Sequence, residues 1–232
     1  MQIESLFIFS LAKLTGKSKI YRELIKRRLS TADRLNVGCG INFVENWINI
    51  GLFDIPGGIY SLSKTKNQTL IIHFDMTQEF PINPNKIRYI FAAHFIEHLN
   101  FSQGINFLRN CYKVMRKNGI IRLNFPDLEL WSKKYYENDL SFFKKYYDFS
   151  KNISGLPELR TKGEIFMSQV HWWDHKWCYD FDSIKDILER AGFSNIARKK
   201  VFESSLPDIK KLESDAPDRI LETIYVEAEK LH

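Results

Sequence analysis

Arg34-Leu35-Asn36-Val37-Gly38-Cys39-Gly40 is the stretch whose reading decides the fold. Apolar and polar residues alternate into a Gly-x-Gly, and a polar turn residue follows at Asn42. This is the pattern of a buried strand ending in a glycine turn, where backbone approaches a nucleotide-like ligand closely. A dinucleotide fingerprint needs a third glycine at the G-x-G-x-x-G spacing, but Phe43 stands there. The turn therefore argues for a nucleoside ligand without a pyrophosphate, and S-adenosylmethionine is the commonest candidate.

Working outward, further strands are expected at Trp47–Ile50, Leu70–Phe74, Ile87–Ala93, Ile120–Phe125, Phe193–Val201 and Ile224–Glu229. A loop rich in glycine, serine and lysine separates the second from the third, from Gly57 to Gln68. Phe101 to Met115 carries a helical apolar stripe, with Arg116 and Lys117 in its last turn and Gly119 just beyond. Asp182–Ala191 is a second such helix, capped by Asp182 or Ser183 and ended by Gly192. Strands separated by helical stretches imply a mostly parallel sheet with helices on both faces. Leu128–Ser150 interrupts this alternation with eight aromatics among lysines and acids, and reads as a helical insertion. Its rings either form a core of their own or wall a substrate pocket.

The 232 residues fit one domain, read as 34–232 and preceded by a basic amphipathic helical segment over 1–33. The net charge is +6, and eight basic against two acidic residues between Lys13 and Arg34 account for the whole excess. That helix is either a solvated face packed on the domain or a contact for an anionic surface or a phosphorylated carrier. Charge this local speaks against nucleic acid as a partner. Three dispersed cysteines form no CxxC pair, which points to a reducing compartment and no zinc framework. No apolar run reaches transmembrane length, and a cytoplasmic protein is expected.

Five motifs in order resemble those of class I S-adenosylmethionine-dependent methyltransferases. They are Leu35–Gly40, His94-Phe95-Ile96-Glu97-His98-Leu99, Val114–Gly119, Pro126-Asp127-Leu128-Glu129, and His175–Asp180 with Ala191-Gly192-Phe193. Together they resemble a small bacterial and viral subgroup associated with polysaccharide or sugar modification. The resemblance implies a Rossmann-like, seven-stranded sheet with one antiparallel strand near its edge. It places Val37, Gly38, Cys39 and Gly40 beneath the methionine part of the cofactor, Asp75 and Met76 at the adenine, and Ala93 and His94 beside the methyl donor. The family's acidic residue at the end of the second strand, which binds the ribose, is Gly51 here. Losing its paired hydrogen bonds costs about 1.5–3 kcal/mol unless Asp54 folds back to supply the acid.

Methyl transfer to a hydroxyl needs an aligned acceptor and a base for its proton. His94 and Asp127 stand at strand ends, where ligands of open parallel sheets bind. Asp127 either serves the acceptor or caps the next helix. His171-Trp172-Trp173-Asp174-His175 adds two histidines that, on a helix, would share one face at i, i+4. No further ligand follows at a recognisable spacing, so no metal is expected, and one histidine is assigned to the acceptor pocket. Glu97 and His98 are read as the start of the next helix. The leading reading is O-methylation of a sugar or glycan hydroxyl. The alternatives are methylation of another small metabolite or a nucleic acid, and a non-catalytic protein that kept the fold.

Overall fold

The computed structural model describes residues 33–51, 62–64 and 70–232. Most of the expected basic helix, residues 1–32, lies outside them, as does Asp54. Eight strands form one sheet: β1 (Arg34–Val37), β2 (Ile48–Gly51), β3 (Leu62–Lys64), β4 (Leu70–His73), β5 (Ile87–Ala93), β6 (Met115–Pro126), β7 (Ser194–Lys199) and β8 (Thr223–Lys230). Their order across the sheet is β3-β4-β2-β1-β5-β6-β8-β7. Pairs from β4 through β6 are parallel, whereas β8 runs antiparallel to both β6 and β7. The expected mostly parallel sheet and its antiparallel strand near the edge are both present. Among the described residues the strands number eight where seven are expected, because β3 pairs antiparallel with β4 inside the stretch read as a loop.

Two helices flank the main core, α1 (Phe101–Val114) and α5 (Phe181–Ala191). They pack on each other and bury Phe107, Leu108, Ile184 and Leu188 against the sheet. The stripe predicted for α1 is observed, but the helix stops at Val114 and Arg116–Gly119 belong to β6. The carbonyls of Lys113 and Val114 accept from the amides of Asn85 and Lys86. The chain approaching β5 thus takes the last helical acceptors, and the next residues continue as strand. The cap of α5 is Asp180, two residues before the expected Asp182: it accepts from the Ser183 amide at 2.8 Å, in a reciprocal capping box. Gly192 ends that helix at φ +106, as anticipated.

The aromatic segment forms helices α2 (Leu128–Tyr136) and α3 (Leu140–Ser154), and the helical layer continues through α4 (Lys162–His171). Trp131 is its hub, with Phe142, Phe143 and Tyr146 at ring separations of 5.0, 5.7 and 4.7 Å. These rings make a separate core, whereas Tyr136 is 91% exposed. Two short helices, α6 (Ile209–Leu212) and α7 (Pro217–Glu222), lead into β8.

A buried guanidinium ties that last stretch to the sheet. Arg122, on β6, is fully buried and donates to Glu213 at 2.8 Å, to Glu227 at 3.3 Å, and to the carbonyls of Lys200 and Glu203. Removing one side of such a network leaves uncompensated charge in low dielectric. Arg122→Met is expected to cost about 3–5 kcal/mol, because Glu213 and Glu227 stay buried without their cation. Urea unfolding of the variant checks this through its midpoint.

Candidate functional site

Strand order reverses between β1 and β5, and open α/β sheets bind ligands at the carboxyl ends of strands flanking such a reversal. The Gly38–Gly40 turn leaves β1 at this point. Gly38 has φ +64, and a Cβ there would stand 2.7 Å from the Phe95 ring. Gly40 has φ +50 with nothing within 4 Å of the corresponding position. One glycine is required by close packing and the other lies beside open space. Val37 is buried between Ile50 and Ala92. Cys39 is buried as well, its amide bonded to the Ile50 carbonyl and its thiol pushed up to about 12 by burial, so it packs as a neutral group.

The turn is braced by a buried amide pair. Asn36 donates to Asn49 at 2.9 Å and to the Asn42 carbonyl at 2.9 Å, while Asn49 also bonds Val44. At the end of β2, Gly51 is buried and its carbonyl accepts from the Phe74 amide, so no acid stands there. Asp75 is half-buried, with one oxygen accepting from the amide and hydroxyl of Thr77 and the other from Gln78. Met76 lies in the main core.

Ala93 ends β5 opposite Asn124, and His94 follows at φ +47. Arg219 donates to His94 Nδ1 at 2.9 Å, so that nitrogen carries no proton and Nε2 donates to the Thr223 hydroxyl at 3.1 Å. Burial holds the ring below the ordinary histidine range, and its lone pair is already occupied by Arg219. The segment then makes a single 3-10 turn, Ile96–His98, separate from α1, whose cap is Asn100. This corrects the reading of Glu97 and His98 as the start of the helix. Glu97 is 2% exposed, its Oε1 lies 3.2 Å from His94 Nδ1, and among the described residues neither carboxylate oxygen has a hydrogen-bond partner.

His175 meets this turn from the far side. Its ring sits edge-on to His98 at 4.9 Å, and the amides of Lys176 and Trp177 bond the Glu97 carbonyl. His175 Nδ1 lies 2.6 Å from the Gln169 carbonyl, which can only accept. Nδ1 therefore bears the proton and Nε2 keeps a lone pair. Burial lowers the basicity of this ring too. A narrow void of about 20 Å³, room for one water-sized group, opens here beside Glu97, Trp131, Phe166, Gln169, His175 and Trp177.

The other two candidates lie elsewhere. His171 is exposed at the end of α4 and, with Trp172 and Met167, lines a separate broad groove. The helix ends there and Asp174 has φ +59, so His171 and His175 do not share a helical face. Asp127 caps α2, its Oδ1 accepting from the amides of Glu129 and Leu130 at 3.1 and 3.4 Å. That is the capping role of the two open to it; burial raises its pKa.

No family model and no curated protein matches the sequence. Among solved structures, the chain is similar to an S-adenosylmethionine-dependent methyltransferase from Archaeoglobus fulgidus, at 17% identity and TM-score 0.47, over 90% of this chain and 94% of that one. It is also similar to Haemonchus contortus phosphoethanolamine N-methyltransferase 2 in complex with S-adenosyl-L-methionine, at 13% identity and TM-score 0.49. That match covers 97% of this chain but 55% of the nematode protein. A third is a Thermotoga maritima S-adenosylmethionine-dependent methyltransferase, at 11% identity and TM-score 0.47, over 90% and 86% of the two chains. Among the described residues, no helix is long and apolar enough to cross a membrane.

Sequence reasoning missed Glu97, His98, Arg219 and Glu222 as parts of this site. The first two had a signal: a carboxylate and three imidazoles fall within the two motifs that were already singled out. Arg219 and Glu222 had none, since an Arg-x-x-Glu pair on a short helix reads as a surface ion pair. Glu222 is in fact buried, and burial lifts its pKa to about 8 despite Arg219 at 3.4 Å.

The two glycines should respond differently to alanine. Gly40→Ala incurs only the left-handed backbone cost of about 1–2 kcal/mol. Gly38→Ala adds overpacking against Phe95, about 1–3 kcal/mol more, and urea midpoints of the two variants measure the gap. Glu222 predicts a pH effect of definite sign. A raised folded pKa keeps its proton where the unfolded chain has lost it, so stability falls as pH rises from about 4.5 to about 8. Glu222→Gln should therefore exceed the parent in stability at about pH 8 and lose that advantage near pH 4.5, as read by unfolding at both values.

Proposed function

We propose that this chain is an S-adenosylmethionine-dependent methyltransferase that O-methylates a hydroxyl of a sugar or glycan. The observation that carries the reading is the Gly38–Gly40 turn: two positive-φ glycines at the sheet's reversal point, one sealed by Phe95 and one beside open space. Such a turn lets backbone lie against a ligand where any side chain would intrude. The residues present fit the methionine side of the cofactor; on the ribose side Gly51 offers no carboxylate, and Asp54, the next acid in the sequence, lies outside the described residues. S-adenosylmethionine, when bound, supplies a methyl group already activated on a sulfonium.

What the chain must add is alignment and a destination for the acceptor's proton. Glu97, Gln169 and His175 supply polar groups at a void walled by Trp131 and Phe166, with room for the reacting hydroxyl of a sugar though not for its ring, and the exposed Trp177 offers ring surface for an apolar sugar face. Of the four candidate bases, His175 is favoured: its Nε2 lone pair is unclaimed and the ring lines the void, whereas Arg219 occupies His94, Asp127 caps α2 and His171 faces the other groove. Gln169 fixes the tautomer in which Nε2 takes up the proton.

Gly51 favours a second reading, a binding protein that kept the fold and lost the cofactor. Calorimetric titration with S-adenosylhomocysteine separates the two. The enzyme reading expects micromolar binding, abolished by Gly40→Asp, and then transfer of labelled methyl groups to sugar or glycan hydroxyls. No heat at millimolar ligand overturns it in favour of the second.

A further inference from the structure

The Glu97 carboxylate poses a problem that the methyl-transfer reading leaves unsolved. Among the described residues neither oxygen, both buried, has a hydrogen-bond partner, in a protein interior where polar atoms are almost always satisfied. The nearest basic nitrogen, His94 Nδ1, already accepts from Arg219 and has no proton to offer. Two further imidazoles converge on the same carboxylate. One ligand atom from each of Glu97, His98 and His175 falls within 4.8 Å of the other two.

From this geometry we propose that Glu97, His98 and His175 form a binding site for a divalent transition-metal cation of the zinc type. Two imidazole nitrogens and one carboxylate are a donor set that zinc, manganese and ferrous iron accept, whereas magnesium and calcium prefer oxygen alone. His175 is already in the ligand tautomer. Its Nδ1–H donates to the Gln169 carbonyl, the outer contact that typically orients a metal-bound histidine and leaves Nε2 for the ion. His98 is half-buried with its ring edge-on to His175, and no described residue hydrogen-bonds that ring. The cation would satisfy the orphaned oxygens and neutralise a buried charge.

The arrangement must tighten for this. Ligand atoms around tetrahedral zinc stand about 3.4 Å apart, closer than the 4.8 Å limit within which these three lie. Three protein ligands leave at least one position open, and two of them, Glu97 and His175, also line the void. An oxygen ligand such as an acceptor hydroxyl suits the open position. The use of the ion in methyl transfer rests on the function proposed above; its binding does not. With the ion present, His175 Nε2 would be a ligand and not a base; a bound hydroxyl would be acidified by the cation and its proton would pass to solvent water.

Equilibrium binding to chelator-stripped full chain tests the site without any assay of activity. Zinc chloride and manganese chloride, titrated separately in a calorimeter, should each bind at one ion per chain, zinc more tightly, and magnesium chloride far more weakly. Glu97→Gln, His98→Ala and His175→Ala should each weaken zinc by at least tenfold, whereas His171→Ala, an exposed histidine outside the cluster, should leave it unchanged. His98→Ala is the informative variant should the more buried replacements fail to fold. Cobalt(II) gives a second readout: a visible absorption band in the parent that is lost in His98→Ala. Absence of a stoichiometric zinc site in the parent, or a site indifferent to His98→Ala, overturns the proposal. Zinc binding with no S-adenosylhomocysteine binding sustains the metal site while removing the methyltransferase reading. The converse removes the metal site alone.

Discussion

The close approach of the Phe95 ring to Gly38 is the contact around which the site is arranged. With a Cβ position only 2.7 Å from the ring, the strand end of β1 and the chain leaving β5 can touch only if residue 38 has no side chain. Phe95 in turn rests on Phe107 of α1 at 5.0 Å, so the ring is clamped from both sides. With Phe95 fixed, His94 before it is forced into a left-handed conformation, and the 3-10 turn after it delivers Glu97 and His98. One absent methyl group thus couples the glycine turn to the polar cluster. Neither could shift by much without opening the other.

The polar cluster is held from a distance in sequence. Arg219 and Thr223 hold His94, and Gln169 orients His175. The contacts on His94 depend on α7 and the start of β8 lying across the end of β6, where Asp127 donates its amide to the Glu222 carbonyl. Arg122 secures the same stretch from below through Glu213 and Glu227. Buried charge is expensive unless paired, so these networks specify one arrangement of the chain rather than adding bulk stability. The aromatic helices α2 and α3, by contrast, keep a core of their own and contribute mainly the wall formed by Trp131.

Legibility in the sequence followed the range of the interactions. Seven strands were recognised from local alternation, and both core helices from their stripes, because those signals lie within a few residues of one another. The missing strand, β3, is three residues long and exists only through its pairing with β4. The early end of α1 was hidden for a similar reason: its last carbonyls are taken by Asn85 and Lys86, some thirty positions away. At the site, the glycine turn was plain from Gly38 and Gly40 alone. His175 was singled out beside His171, but the spacing suggested a shared helical face that the left-handed Asp174 prevents. Glu97 looked like helix-starting material until folding buried it among imidazoles contributed by distant segments.

The position of β8 has a consequence for how the molecule comes into being. It follows β7 in the chain yet lies between β6 and β7 in the sheet, paired with β6 from Gly119 to Pro126. During synthesis, both strands it joins are made before it. Until it arrives, β6 presents an unpaired edge, a template for mispairing with other chains. A sheet that assembles before β8 is made is therefore open at β6 and lacks β7 as well. A chaperone that shields strand edges would act at that stage.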